Sequence, residues 1–404
     1  MAVVDVGWPQ ARSRSDQADL GALPVYAGPT HVDLDLTNAC NLFCSHCDVS
    51  SGKPLPKEVE TSRMLALVDD LYSLGVMELT IAGGEPLLRP DALSIIQHAC
   101  SYDGWIVTVI TNGTYFSDTT VEYLATNCPD LNINVSIDGS TPDRFDVLRH
   151  TRRRSPEART KLFDSVISGT QRAVKGGLNV HVNFALTHST AYDLQETYDL
   201  AIGLGARNML AIKYFSGGRG LDHLDSMEFS YPDWSALLVQ LTNAKLGGQL
   251  PHLAVSVPSP WEFYLPMIDG GLERAVAETV WSYRAPRRSE FYARTQHIGD
   301  TSGITDLNVV ANGDVYPLTL MSGDKTARAG NFGNDSLVDI WNNSGVLQGL
   351  RAMKTTSLPA PCQACSIEET CGGGSRARAL ALTGSLQGAD LLCPRIQAAS
   401  GNLQ

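Results

Sequence analysis

Several things are scarce or missing in this 404-residue chain, and each removes a class of function. Basic residues are outnumbered: 31 Lys and Arg face 43 Asp and Glu, a formal net charge of −12. Sequence-independent binding to nucleic acid needs the opposite surplus, so no nucleic-acid partner is expected. No apolar run approaches the roughly 18–20 residues of a membrane span. The start, MAVVDVGWPQARSRSDQ, is interrupted by Asp5, Pro9 and Arg12 and lacks the continuous apolar core of a signal peptide. A cytoplasmic location follows as the expectation. There is no internal repeat and no low-complexity segment. What remains is 43% hydrophobic and 18% charged, the composition of a packed globule.

Nine cysteines stand out against that background. Cytosolic thiols are kept reduced, so disulfides are not the expected use. Three lie together at Cys40, Cys44 and Cys47, and four at Cys362, Cys365, Cys371 and Cys393; Cys100 and Cys128 stand alone. Short spacings of this kind are metal-ligand spacings. The lone pair reads as buried structural cysteine.

Between about residues 31 and 215 the pattern alternates strand and helix. In HVDLDLT, Val32, Leu34 and Leu36 alternate with polar residues as in a strand. Thr61 and Ser62 then offer N-caps to a helix with an apolar face of Met64, Leu67, Val68, Leu71 and Leu74, and Gly75 sits at its C-terminal end. Further strands are expected at 77–83, 105–110, 131–137, 180–186 and 208–215. Such alternation implies parallel pairing through right-handed crossovers. Six units make a partial (β/α)6 barrel, an α/β fold with its chemistry at the C-terminal strand ends. Residues 1–30 read as an N-terminal extension and 216–304 as a connector or substrate lid without clear alternation. From 305 to 404 a hairpin turning at Asn312-Gly313, a helix near 336–341 and a cysteine-rich tail form a C-terminal domain.

The first cluster, C-N-L-F-C-S-H-C, follows directly on the first strand. Three thiolates in eight residues converge on one soft metal centre only if the chain loops around it. Three is one short of a closed structural site, and an open position is what a catalytic metal keeps for a ligand. A zinc knuckle with His46 as fourth ligand is the alternative, although a His adjacent to Cys47 is poorly placed for a shared tetrahedron. The four cysteines of the tail make a closed site, and spacing alone favours structural zinc there.

Here the sequence resembles the radical S-adenosylmethionine (SAM) superfamily. Its C-x3-C-x2-C signature holds a [4Fe–4S] cluster whose open iron is chelated by the methionyl end of SAM. The resemblance implies that Cys40, Cys44 and Cys47 are the catalytic cluster's ligands, with His46 in a position often aromatic. Gly83-Gly84-Glu85-Pro86 is similar to the family's GGEP motif beside the methionine amino group. Ser136-Ile137-Asp138-Gly139 resembles its ribose-contacting motif, Thr111-Asn112-Gly113 recurs in it, and Arg149 matches an arginine directed at the cofactor carboxylate. The tail resembles the SPASM extension, in which Cys362, Cys365, Cys371 and Cys393 would bind an auxiliary [4Fe–4S] cluster. Leu318 and Ser375 stand where that extension usually has further cysteines, which implies one auxiliary cluster rather than two.

The family's activity then implies reductive cleavage of SAM by an electron from a donor such as flavodoxin or ferredoxin, and removal of a substrate hydrogen by a 5′-deoxyadenosyl radical. An auxiliary cluster suits a second electron transfer, so oxidation of the substrate, by dehydrogenation or bond formation, is favoured over epimerisation. About 30 residues precede the first strand, too few for a leader-peptide-binding domain. The expected substrate is therefore a small molecule of natural-product biosynthesis, such as a sugar or aminocyclitol intermediate. A peptide maturase or epimerase is the alternative, and a non-catalytic iron–sulfur or zinc protein is the alternative of another class. Arg152-Arg153-Arg154 reads as a solvated face rather than an acidic-ligand grip, and His98, His181 and His188 as ordinary residues.

Overall fold

The computed structural model of the chain describes residues 26–286 and 297–401. Most of the expected N-terminal extension therefore lies outside the described residues. One ten-stranded sheet organises the rest, in the order β10-β9-β8-β1-β2-β3-β4-β5-β6-β7. The strands β1 (His31–Thr37), β2 (Glu78–Gly83), β3 (Ile106–Thr111), β4 (Asn132–Ser136), β5 (Asn179–Leu186), β6 (Met209–Lys213) and β7 (Leu253–Ser256) follow one another across it, all parallel. Helices connect them, which is the α/β partial-barrel architecture that the alternation implies.

The helix Thr61–Ser73 shows why these elements pack as they do. Met64, Leu67, Val68 and Leu71 are buried at i, i+3, i+4 and i+7, and they join the core that Val32, Leu34 and Leu36 contribute from β1. The alternate β1 residues His31, Asp33, Asp35 and Thr37 fall on the other face. The N-cap differs from expectation: Glu60 occupies it, and the Thr61 hydroxyl donates to Asp91 instead. Gly75 does end the helix in the left-handed region, at φ +81°.

Two departures concern the C-terminal half. The stretch expected as a connector contains β7, which pairs with β6 and is only 4 residues long, too short to show a period of two. Past it, β8 (Asp306–Val309) pairs in parallel with β1, and β9 (Asp314–Tyr316) and β10 (Gly330–Asn331) add antiparallel. The Asn312-Gly313 turn joins β8 to β9 as expected, with Gly313 at φ +88°. The tail thus extends the barrel's own sheet. No helix of the described residues is long and apolar enough to cross a membrane.

Candidate active site

The C-terminal ends of β1 to β4 and the turn after β6 meet at one cavity of about 160 Å³. Cys40, Cys44 and Cys47 all line it, on the loop that leaves β1. That loop is closed on itself by backbone bonds, Cys40 N to Gly52 O at 3.1 Å and Gly52 N to Asn38 O at 3.0 Å. His46, Gly83, Gly84, Asn112, Ser136 and Arg149 line the same cavity. The structure therefore gathers residues expected from six separate sequence positions.

Two expected residues stand behind the wall. Glu85 is fully buried and accepts from Thr111 Oγ1 at 2.7 Å and Asn112 N at 2.8 Å, so it braces the β2 end against the β3 end. Burial raises its pKa to about 7 despite these bonds. Asp138 is equally buried; it accepts from Ala185 N and pairs with Arg149 Nε. Its third contact is His46 Nε2 at 3.5 Å. Arg149 in turn lies 3.9 Å from Cys44 Sγ.

The two glycines also have a packing reason. A Cβ on Gly84 would lie 2.2 Å from Ala39 O, and one on Gly83 would lie 2.4 Å from Thr37 O. Gly83 also sits at φ +121°. The strand end can thus press against the cysteine loop's own backbone only without side chains.

The donor set fits an iron–sulfur cluster with one open position. Three soft thiols share a cavity whose other walls combine the Asn112 amide, hydroxyls, the Arg149 and Arg219 guanidiniums, the His46 ring and the Asp48 carboxyl with the apolar Leu42, Val49 and Ile110. Burial pushes Cys44 up to about 12 against the pull of Arg149, so metal loading must release protons. Burial likewise lowers His46 to about 4, and its buried Nδ1 has no hydrogen-bond partner. A neutral ring with one free nitrogen faces the site.

The second cavity, of about 20 Å³, is lined by Cys362, Cys365, Cys371 and Cys393. Trp261, Leu265, Ile367 and Ile396 complete much of its wall. Gly372, Gly373 and Gly374 all have positive φ, and a Cβ on Gly374 would lie 2.6 Å from Asp390 Oδ2. Four thiols in an apolar recess fit a cluster with every position closed by protein. Asp390 accepts from Ser259 Oγ at 2.7 Å and Trp261 Nε1 at 2.8 Å. It also faces Arg378, which forks onto Glu262 at 3.0 and 3.1 Å, and Glu262 pairs with Lys213 Nζ at 2.7 Å. This buried chain of charges ties the end of β6 to the second cavity.

Sequence reasoning missed that chain and also Arg219, Asp48 and Ser51 on the first cavity. The available signal was Gly217-Gly218-Arg219-Gly220, a glycine-flanked arginine following a strand. Cys100 and Cys128 share a hydrogen bond with each other. They follow helices that lead into β3 and β4, so they lie at the sheet end opposite the cavity.

Residues 34–201 match the Radical SAM superfamily, and residues 302–366 match SPASM, an iron–sulfur cluster-binding domain. The AdoMet-dependent heme synthase of Methanosarcina barkeri is 27% identical over 88% of this chain and 93% of its own length. The PqqA peptide cyclase of Xanthomonas campestris is 24% identical over 92% of this chain and 89% of its own. Among solved structures, Streptococcus suis SuiB bound to precursor peptide SuiA superposes with a TM-score of 0.70 at 18% identity, over 92% of this chain and 77% of that one.

Proposed function

We propose, from the premise that this chain is a radical SAM protein with a SPASM domain, that it cleaves S-adenosylmethionine reductively and oxidises an organic substrate. The observation that carries the reading is the single cavity shared by three thiols and four strand ends. When bound, the cluster and SAM supply a hydrogen-abstracting 5′-deoxyadenosyl radical. Cys40, Cys44 and Cys47 would hold the cluster, three ligands that would leave an open position for the cofactor's amino-acid end. Gly83, Gly84 and Asn112 form the wall beside that end, and Ser136 presents a hydroxyl to the sugar. Arg149, fixed by Asp138, faces the cofactor carboxylate. Glu85 keeps the β2 and β3 ends in register rather than meeting the cofactor. His46 lines the cavity beside Cys47, with Nε2 turned to Asp138.

Cys362, Cys365, Cys371 and Cys393 would hold a second cluster with every position closed by protein, which would supply an acceptor for an electron from the substrate. An electron donor such as a flavodoxin or ferredoxin reduces the first. The position of Cys100 and Cys128 at the far end of the sheet supports oxidation over epimerisation, which needs a hydrogen donor at the cavity. For the substrate, the name of the heme synthase supports a small molecule, within which the sugar or aminocyclitol expectation stands. The name of the PqqA peptide cyclase favours a second reading, a ribosomal peptide. The domain division is proposed as barrel over 31–215, a connector over 216–304 that lends β7 to the same sheet, and an auxiliary-cluster region over 305–404.

The test is an anaerobic incubation with SAM, reductant and two panels, deuterated amino sugars and aminocyclitols, and short precursor peptides. A product two hydrogens lighter, with deuterium carried into 5′-deoxyadenosine, is the expected result and identifies the panel. Products of unchanged mass with inverted stereochemistry would contradict net oxidation.

A further inference from the structure

The segment after β6 belongs to none of the expected motifs, yet it bonds the first cysteine loop at several points. Arg219 Nε donates to Cys44 O at 2.9 Å, and its Nη2 donates to Ser51 O at 3.2 Å. Its backbone N–H donates to Cys47 O at 2.9 Å. One residue thus takes up three carbonyls of the loop, two of them on expected iron ligands. Its guanidinium also lies 3.9 Å from the centre of the Phe43 ring, and the Arg152 guanidinium lies 4.5 Å from the same ring. Phe43 sits between Cys40 and Cys44, so both the ring and the carbonyls of the loop are fixed from outside.

The backbone around Arg219 is shaped for this approach. Gly218 has φ +48°, and a Cβ there would lie 2.2 Å from Asp48 O and 2.7 Å from Cys47 O. A Cβ on Gly220 would lie 3.0 Å from Tyr214 Oη. The turn can lie flat on the loop only as glycine-arginine-glycine. Arg219 lines the same cavity as the three thiols, so its charge is also close to where an anionic cluster would sit.

We propose that Arg219 is a positioning residue for the first cluster: it holds the Cys44, Cys47 and Ser51 carbonyls so that the three thiols face the cavity, and it sets the cluster's potential through its fixed charge. The proposal rests on the reading of that loop as an iron–sulfur site, and it concerns a residue that reading leaves without a role. Arginine suits the task because its planar fork serves two acceptors at once while its face covers a ring, which lysine cannot do.

The experiment compares wild type, Arg219→Gln and Arg219→Lys after identical anaerobic reconstitution. Iron and sulfide per chain, the electron paramagnetic resonance signal and the midpoint potential are measured, with a Cys40→Ala/Cys44→Ala/Cys47→Ala protein assigning the second cluster's share. Arg219→Gln is expected to lose at least half of the first site's iron and to shift the remaining signal to lower potential, with the second site's iron unchanged. Arg219→Lys is expected to keep the potential near wild type while still losing iron, since charge returns but the fork does not. If Arg219→Gln proves insoluble, Arg219→Lys alone decides: full iron with an unaltered signal overturns the proposal. Equal loading and equal potential in all three proteins also overturns it. A wild type without any cluster on the first loop would instead sink the underlying reading, which separates the two failures.

Discussion

The two cysteine sites share a chemistry of thiols but differ in almost everything around them. The first has three thiols, walls that mix polar groups with Leu42, Val49 and Ile110, and a cavity of about 160 Å³; the second has four thiols, walls rich in Trp, Leu and Ile, and about 20 Å³. The first rests on the C-terminal ends of parallel strands, where backbone groups converge and point outward. The second is assembled from single helical turns, Ala360–Gln363 and Glu368–Cys371, and from Cys393 at the N-cap of Pro394–Ala399. Room and polarity are what an organic ligand needs beside a metal; closure and apolar cover are what a redox store needs. The difference fits the proposed division, with chemistry at the first site and electron storage at the second.

The sharpest way to break this contrast is to remove one ligand from each site. Cys44→Ala should lower 5′-deoxyadenosine formation by more than about 1,000-fold, roughly 4 kcal/mol of barrier, since the step has no other route. Iron analysis of the same protein should show the second site intact. Cys393→Ala should do the reverse: its second-site iron is lost, while SAM cleavage in the absence of substrate stays within a few-fold of wild type. Comparable loss of SAM cleavage in both variants would erase the proposed division of labour.

A smaller effect concerns the link between the sites. Glu262 is fully buried between Lys213 and Arg378, so Glu262→Gln removes their shared carboxylate, while Lys213 keeps Glu228 and Arg378 keeps Asp390. With those second carboxylates in place, the loss should be about 1.5–3 kcal/mol, that of a buried hydrogen bond to a charged group. Urea unfolding should register that loss, whereas a change below 1 kcal/mol would mean the charges are solvated.

The smallest effect lies at the seam where β1 meets β8. Burial opposes a charge on His31, but the hydrogen bond to Asp306 and the charges of Asp33 and Asp306 outweigh it and raise the pKa to about 9. A histidine raised in the folded state stabilises fully below its unfolded value near 6.5 and loses that stability as pH rises through about 9. Part of the ring is exposed, so the effect should be on the order of 1 kcal/mol. Unfolding of wild type between pH 6 and pH 10 should show it, and His31→Gln should flatten that portion of the profile.

How much of this was legible in the sequence follows the same divide. The first site was readable because its parts are short motifs at strand ends, each carrying its own signal: the three thiols, Gly83-Gly84, Asn112, Ser136 and Arg149. The cysteines of the second were readable by spacing. What stayed hidden depends on contacts between distant residues. Lys213, Glu262, Arg378 and Asp390 are ordinary charged residues in sequence and become one buried chain only when the fold joins them. The 4-residue β7 and the pairing of β8 with β1 have no periodic signature of their own. Glu85 and the glycines were found, but what they do depended on which neighbours the fold supplied.

The most direct test of the central claim is anaerobic reconstitution followed by parallel measurement of iron, sulfide and reductive SAM cleavage. About eight irons per chain with 5′-deoxyadenosine released upon reduction is the predicted result, four for each cysteine site. Iron retained by Cys362, Cys365, Cys371 and Cys393 alone, with SAM left intact, would contradict the assignment of an open catalytic cluster to Cys40, Cys44 and Cys47.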